Sequence, residues 1–483
     1  MGSTFHIENF GCRAARADGE AVAALLRGEG ATEGLPAEAE VVVVNTCSVT
    51  AEADREARAY IRRTHRQNPE ARIVVTGCYA QRAPEELAAL PGIAAVIGNS
   101  HKALAPDVAL ELMPSRSGST RDLLQIQPAS ATSAAPQVLV DDTFAHSFLE
   151  EAPITAGAQT RPNLKIQEGC SNRCSFCVIP QTRGRSRSLS SDAMLDQVRS
   201  FVDAGGNELV LSGINLGRWG RDLDCSSKEP RNLAALVRAI FELSALPRLR
   251  LSSIEPMDWD ADLISVMREF SGGRLARHAH LPLQSGSDSV LRRMHRRYRP
   301  WHYAEKVAEL VGAVGPALTI GADVMVGFPG ETDSEFQESY DFIGSLPFGY
   351  MHLFPFSPRP GTRAWTLHAE DPVAVGVVAE RMGALRSLAA EKTRAHRSQF
   401  IGAELPAISL HTPAAIAASG GTSALADNFI PVEVAAVLPA NQLIRIRITG
   451  VAPDNALLAT LARTDARLLP HFGSAQPALE SAV

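Results

Sequence analysis

Nowhere in this 483-residue chain is there an apolar run long enough to span a bilayer. The N-terminus, Met1-Gly2-Ser3-Thr4-Phe5-His6, lacks both the basic start and the apolar core of a secretory signal, so a cytoplasmic location without a membrane partner is the expectation. An excess of positive charge is missing as well. With 47 basic against 53 acidic residues the net charge is -6, so any nucleic-acid contact must come from local patches. Cysteine is scarce, at seven residues, and in a reducing compartment these are better read as ligands or nucleophiles than as disulfides. The remainder is ordinary for soluble globular protein: 45% hydrophobic and 21% charged, in a chain long enough for two or three domains.

Three of the few cysteines stand together in Glu168-Gly169-Cys170-Ser171-Asn172-Arg173-Cys174-Ser175-Phe176-Cys177, after the apolar run Leu164-Lys165-Ile166. Spacings of three and two residues let Cys170, Cys174 and Cys177 converge on one small object, and soft sulfur ligands favour iron-sulfur clusters, zinc or copper(I). A structural zinc normally takes four ligands, whereas a four-iron cluster held by three cysteines keeps one iron open for chemistry. A zinc knuckle closed by a remote ligand such as Cys225 or a histidine is the alternative.

Residues 1–112 alternate between strands and helices. Strands are expected at Phe5-His6-Ile7, Val41 to Val44, Arg72 to Val75 and Ala94 to Ile97; helices at Arg16 to Leu26, Ala51 to Arg66 and Pro84 to Leu90. This alternation predicts a doubly wound parallel sheet. Each cysteine here follows a strand: Cys12 after Asn9-Phe10-Gly11, Cys47 after Asn45-Thr46, and Cys78 after Thr76-Gly77. Parallel strands place such ends on one edge, where open α/β folds build ligand sites, so the three thiols should meet there as ligands of a second iron-sulfur cluster. Inert core cysteines are the competing reading.

Residues 113–158, with Pro114 to Thr120 and Pro128 to Pro136, have linker composition, although Val138 to Val140 could add an edge strand. Residues 159–395 resume the alternation. Strands are expected at Leu164 to Gln167, Glu208 to Leu211, Arg248 to Leu251, His278 to Leu281, Ile320 to Val326 and Met351 to Phe354, with helices between them. Six βα units make a partial barrel, open on one side, whose active site belongs at the carboxyl ends of the strands. Those ends carry Ser212, Gly213 and Asn215; Ser253 and Glu255; Gln284 and Ser285; and Gly327 and Glu331, a mixture of close-approach glycines and orienting polar groups. Two basic runs, Arg183 to Ser188 and Arg292 to Arg299, read either as RNA footprints or as intraprotein ion pairs. Residues 400–468 turn to short strands at Ile408 to Leu410, Phe429 to Val434 and Leu443 to Ile448, a small β-barrel appendage, and residues 469–483 are expected to be a disordered tail.

Taken with the loop Gln167 to Cys177, the motifs Asn9-Phe10-Gly11-Cys12, Asn45-Thr46-Cys47-Ser48-Val49-Thr50 and Thr76-Gly77-Cys78-Tyr79-Ala80-Gln81 resemble the radical S-adenosylmethionine (SAM) methylthiotransferases. Thr182 to Ser188, Leu249 to Pro256 and His280 to Ser287 are most similar to the branch acting on N6-threonylcarbamoyladenosine at tRNA position 37. The resemblance implies two [4Fe-4S] clusters: one on Cys170, Cys174 and Cys177 that cleaves SAM, and an auxiliary one on Cys12, Cys47 and Cys78. It implies that the strand-end residues form the SAM shell and that residues 400–468 form an RNA-binding TRAM-like barrel. Two SAM would be used per turnover, one giving its methyl group to sulfur and the other a radical that removes hydrogen from C2 of the adenine. The implied partners are a tRNA anticodon stem-loop, an electron donor of flavodoxin or ferredoxin type and a sulfur source. Isopentenyl-adenosine tRNA or a ribosomal-protein aspartate as substrate, and a non-catalytic iron-sulfur or zinc RNA-binding protein, are the alternatives. Residues 401–483 carry four arginines, no lysine and six acidic residues, which weakens phosphate attraction there. Cys225 has no counterpart in the resemblance.

Overall fold

In the computed structural model, residues 3–113, 135–148, 154, 159–223 and 230–462 are described; Cys225, most of the stretch read as linker and the tail lie outside the described residues. Among the described residues no helix is long and apolar enough to cross a membrane.

The run Val41-Val42-Val43-Val44 is buried on both sides, as expected of a central strand in a parallel sheet. Around it, strands Thr32–Glu33, Thr4–Asn9, Val41–Thr46, Arg72–Gly77, Ile93–Gly98 and Gln137–Leu139 pair in that order, all parallel. Alternate side chains feed two cores. Val41, Val43 and Val74 pack with Val22 and Leu26 of helix Arg13–Gly28, while Val42, Val44 and Val75 pack with Ala57 and Ile61 of helix Ala51–Gln67. The sheet is therefore doubly wound. Its sixth strand comes from the stretch read as linker, which corrects the composition-based reading of residues 137–139 and agrees with the edge strand proposed there.

The second unit has six strands that are parallel where they pair with one another, Asn163–Glu168, Glu208–Gly213, Arg248–Leu251, His278–His280, Thr319–Val326 and Phe348–Pro355, and a two-residue strand, Arg187–Ser188, that lies antiparallel to the first at its outer edge. Between the third and fourth the ladder thins to two bridges, Leu249 to Leu275 and Ser253 to His280. Among the described residues no pairing joins the sixth strand to the first, so this is the partial barrel that six units imply. Helix Val375–Ser398 packs along the sixth strand and was not foreseen. Its buried stripe is thin, comprising Arg381, Met382, Leu385 and Leu388, which leaves little periodicity to read.

The C-terminal unit is a closed five-stranded barrel ordered Glu404–Ser409, Thr422–Ala426, Pro431–Val434, Leu457–Leu461, Leu443–Val451. It docks on the core through Asp427, which takes a forked pair from Arg277 at 2.6 and 2.8 Å, and through carbonyls of Ala426 and Asp427 that accept from Arg250. Arg445 and Arg447 face outward, and Arg447 pairs with Glu404 at 2.6 Å.

Candidate active site

The loop that carries Cys170, Cys174 and Cys177 begins where the first barrel strand ends. Gly169 has φ +70°, and a Cβ there would lie 2.1 Å from the Arg185 carbonyl oxygen, so the turn into Cys170 requires glycine. The Cys170 N–H donates to the Gly184 carbonyl at 3.0 Å, and Ser175 is fixed by the Arg293 and Met294 carbonyls at 2.8 and 3.0 Å. N–H groups converge on the sulfurs: Asn172 N and Asn215 Nδ2 on Cys170 at 3.4 and 3.6 Å, and Arg296 Nη1 on Cys174 at 3.2 Å. Burial, then the neighbouring Cys174, pushes the Cys177 thiol up to about 12. The cysteines line a cavity of about 530 Å³ with Arg173, Arg185, His295 and Arg363, and no carboxylate is among its lining residues.

In the first sheet the register levels Asn9, Asn45 and Thr76, so the three following cysteines emerge on one edge. Gly77 has φ +100° and a Cβ there would lie 2.3 Å from the Thr46 carbonyl oxygen, which keeps the approach to Cys78 open to glycine alone. Cys12, Cys47 and Cys78 are close enough to act on one another. Burial, then Cys78 and Cys12, pushes the Cys47 thiol up to about 12. Cys78 accepts from Arg183 Nε at 3.2 Å and from Asn99 Nδ2 at 3.4 Å.

Both trios suit a metal-sulfur group larger than one ion. Thiolates around a single zinc stand about 4 Å apart. Among the described residues, neither cysteine trio closes to the 4.8 Å mutual separation that His280, Asp323 and His352 reach. The N–H donors aimed at Cys170, Cys174 and Cys78 fit an anionic sulfur site.

Arg183 links the two trios. It follows the cluster loop, is fully buried, touches Cys78, and neighbours Gly184, whose carbonyl holds Cys170. Its Nη1 donates to Glu168 at 2.7 Å and to Asp18 at 3.2 Å, while Lys165 and Lys102 pair with Asp18 and Lys165 also with Glu168. Burial opposes ionisation of Asp18 and Glu168, yet the three cations outweigh it and hold both carboxyls below their usual range. The trios are thus neighbours across a charged seam, which nothing in the spacing of the sequence marks.

The expected SAM-shell residues divide. Asn215 lies beside Cys170, its N–H accepted by Gln167 at 2.6 Å and its Oδ1 buried without a partner. Glu255 takes Arg296 Nη2 at 2.5 Å, so Arg296 spans Glu255 and Cys174. Ser253 bridges to His280, and Gln284, at φ +67°, has a buried Oε1 without a partner. The others have their polar atoms engaged within the protein. Ser212 Oγ donates to the Leu164 carbonyl, and Gly213 packs on Gln167. Ser285 shares a hydrogen bond with Ser339, while Glu331 accepts from Gly327 N at 2.9 Å and Arg381 at 2.8 Å.

Below these residues, His280 and His352 flank Asp323 at 3.1 and 3.2 Å, and His280 shares Tyr350 OH with His278. This set was not foreseen because its members come from three different strands. It forms a hydrogen-bonded chain from His352 through Asp323, His280 and Tyr350 to His278, whose Nδ1 is buried without a partner among the described residues. Of the basic runs, Arg183, Arg293, Arg296 and Arg299 are in ion pairs, whereas Arg185 and Arg297 are exposed.

A parallel partial barrel with a three-cysteine loop at its carboxyl edge defines a radical SAM enzyme. Residues 164–343 match the radical SAM superfamily, and residues 4–98 match an uncharacterised protein family, UPF0004. The threonylcarbamoyladenosine tRNA methylthiotransferase MtaB of Bacillus subtilis is 36% identical over 82% of this chain and 83% of its own. The tRNA-2-methylthio-N(6)-dimethylallyladenosine synthase of Geobacter metallireducens is 33% identical over 82% of this chain and 85% of its own. Among solved structures, the radical SAM methyltransferase TsrM of Kitasatospora setae superposes with a TM-score of 0.49 and 15% identity, covering 77% of this chain and 78% of that one. The chain belongs to the radical SAM methylthiotransferase family, in its MtaB-like branch. It is an enzyme that uses an iron-sulfur cluster and SAM.

Proposed function

We propose that the protein converts N6-threonylcarbamoyladenosine at tRNA position 37 to its 2-methylthio derivative, with two [4Fe-4S] clusters and two SAM per turnover. Cys170, Cys174 and Cys177 hold one cluster, and Cys12, Cys47 and Cys78 the other. The observation that carries this reading is the adjacency of the trios, with Arg183 on Cys78 and the next residue on Cys170. When bound, the clusters and SAM supply a 5′-deoxyadenosyl radical to take hydrogen from an unactivated ring carbon and a sulfur atom to replace it. Such a replacement requires both within a few ångströms of the same carbon.

The protein's own residues position and shield. Arg296 orients Glu255 and donates to the Cys174 sulfur; Asn215 donates to Cys170 and keeps Oδ1 for a ligand; Gln284 does the same with Oε1. Exposed Arg173, Arg185 and Arg363 around the cluster cavity present positive charge to RNA phosphates, a footprint that the acidic C-terminal barrel does not supply. An electron donor of flavodoxin or ferredoxin type, a sulfur source and a cytoplasmic location complete the proposal.

Transfer RNA from a strain lacking the gene tests the substrate. Loss of 2-methylthio-threonylcarbamoyladenosine is expected; its persistence with loss of the methylthio-isopentenyl nucleoside would move the enzyme to the other branch. Anaerobic reconstitution tests the cofactors, with about eight irons per chain expected for two four-iron clusters.

A further inference from the structure

We infer that Arg183, a residue of the barrel, is a positioning residue of the auxiliary site, where it holds negative charge on the sulfur bound at Cys78 and so sets the reduction potential and retention of the cluster on Cys12, Cys47 and Cys78. This rests on the two-cluster reading. A guanidinium presents Nε and Nη2 along one edge, the edge by which Arg277 grips both oxygens of Asp427. In Arg183 that edge faces Cys78. Nε donates to its sulfur at 3.2 Å, and Nη2 is buried without any partner. A buried donor left unpaired is costly, so the edge is built for a second acceptor beside the first, which sulfur of a cluster on Cys78 would provide.

Charge leads to the same place. Among the described residues, Lys102, Lys165 and Arg183 pair with two carboxylates, Asp18 and Glu168, and all five side chains are 7% exposed or less. An unmatched buried cation demands an anion, and the sulfur at Cys78 is in direct contact with it. Asn99, fully buried, adds a second N–H to the same sulfur at 3.4 Å and is itself fixed by the Thr182 carbonyl at 2.7 Å. Both donors are therefore tied to the turn that follows the SAM-cluster loop. A positive charge and N–H bonds at a cluster's sulfurs stabilise its reduced form and raise its potential.

The test uses full-length protein in which Cys170, Cys174 and Cys177 are all alanine, reconstituted anaerobically so that only the auxiliary site is loaded. Arg183→Gln should lower the midpoint potential in an EPR-monitored titration and reduce bound iron several-fold, and Arg183→Lys should recover part of both. In the reciprocal background, with Cys12, Cys47 and Cys78 replaced, Arg183→Gln should move the potential less. An unchanged auxiliary potential in a folded Arg183→Gln protein, or equal shifts in the two backgrounds, overturns the inference. If Arg183→Gln fails to fold, Asn99→Leu replaces it; the same downward shift is expected, and no shift is equally fatal. Absence of iron in the first background with Arg183 intact removes the two-cluster reading and this inference with it.

Discussion

The two cysteine trios reach the same arrangement by opposite routes. Cys170, Cys174 and Cys177 lie within one loop, held by Gly184 a few residues beyond it and by Arg293 and Met294 from a distant segment of the barrel. Cys12, Cys47 and Cys78 come from three strand ends and meet only when the whole sheet is in register. A loop sets the spacing of its sulfurs by its own turns and takes a few outside anchors, whereas a site spread over strands inherits the cooperativity of the sheet. The first should thus tolerate damage to distant packing that the second does not, and the chemistry of each should be separable from the other.

Separating them outright gives the largest expected effect. Cys174→Ala should abolish formation of 5′-deoxyadenosine from SAM, whereas Cys47→Ala should spare that cleavage and lose sulfur insertion, each leaving about four irons per chain. Quantifying 5′-deoxyadenosine and methylthiolated nucleoside in the same reactions checks this. Equal loss of cleavage in both variants would break the division of labour.

A glycine exchange probes the difference in construction. Gly77→Ala forces a Cβ to within 2.3 Å of the Thr46 backbone oxygen in the middle of the sheet edge, and Gly169→Ala forces one to within 2.1 Å of the Arg185 oxygen in the buried turn that opens the cysteine loop. Each should cost at least ~2 kcal/mol, because left-handed backbone and a backbone clash add. In Gly77→Ala the strain spreads through the sheet, so thermal melting of the first domain should fall along with loss of the auxiliary iron. In Gly169→Ala the SAM-site iron should fall while that melting transition holds. Parallel melting changes in the two variants would show that the sites share one cooperative unit.

What could be read from the sequence follows the same division. The loop trio declares itself by spacing, and the strand-end trio by three repeats of one position, an apolar run followed by a cysteine. Strands were legible because parallel sheets bury both faces, as at Val41 to Val44. Helix Val375–Ser398 was not, since four buried side chains in 24 residues leave no clear stripe. Strands Thr422–Ala426 and Leu457–Leu461 were missed as well, being short and rich in alanine and leucine that serve helices equally. Within the site, charge was the illegible part. Arg183 and Arg296 stand in basic runs that look alike on paper, and only the fold turns one onto Cys78 and the other onto Cys174 while Arg185 and Arg297 stay outside. Glu331 looked like a cofactor ligand, but its charge is met by Arg381 from the unforeseen helix.

Arg296 allows the comparison to be sharpened at the level of a single donor. It binds the Cys174 sulfur and Glu255 from a buried position, as Arg183 binds Cys78 and Glu168. Loss of such an outer contact to a metal ligand typically costs roughly 10–100-fold. Arg296→Gln should reduce the rate of SAM cleavage by about that factor with the auxiliary EPR signal intact. A change confined to the auxiliary signal would reverse the assignment of the two arginines.

The smallest expected effect is a response to acid on the barrel side. His396, near the end of helix Val375–Ser398, meets Thr319 Oγ1 at 2.8 Å and so ties that helix to the fifth barrel strand. Burial, then Arg397, lowers its pKa to about 4. The folded state disfavours the charged ring, so the stability is complete above the unfolded value of about 6.5 and is lost as pH falls from there toward 4. At pH 5 the loss amounts to about 2 kcal/mol, because the unfolded ring is then almost fully protonated and the folded one is not. Hydrogen exchange, corrected for intrinsic rates, should therefore show protection in Val375–Ser398 falling between pH 7 and 5 by more than in Ala51–Gln67 of the first sheet. His396→Gln keeps a hydrogen-bonding group but cannot take the proton, so it should flatten the response of the first helix alone. Equal acid sensitivity of both helices, with or without that substitution, would mean that the barrel and the sheet open together and that the local site enjoys no independence from the distributed one.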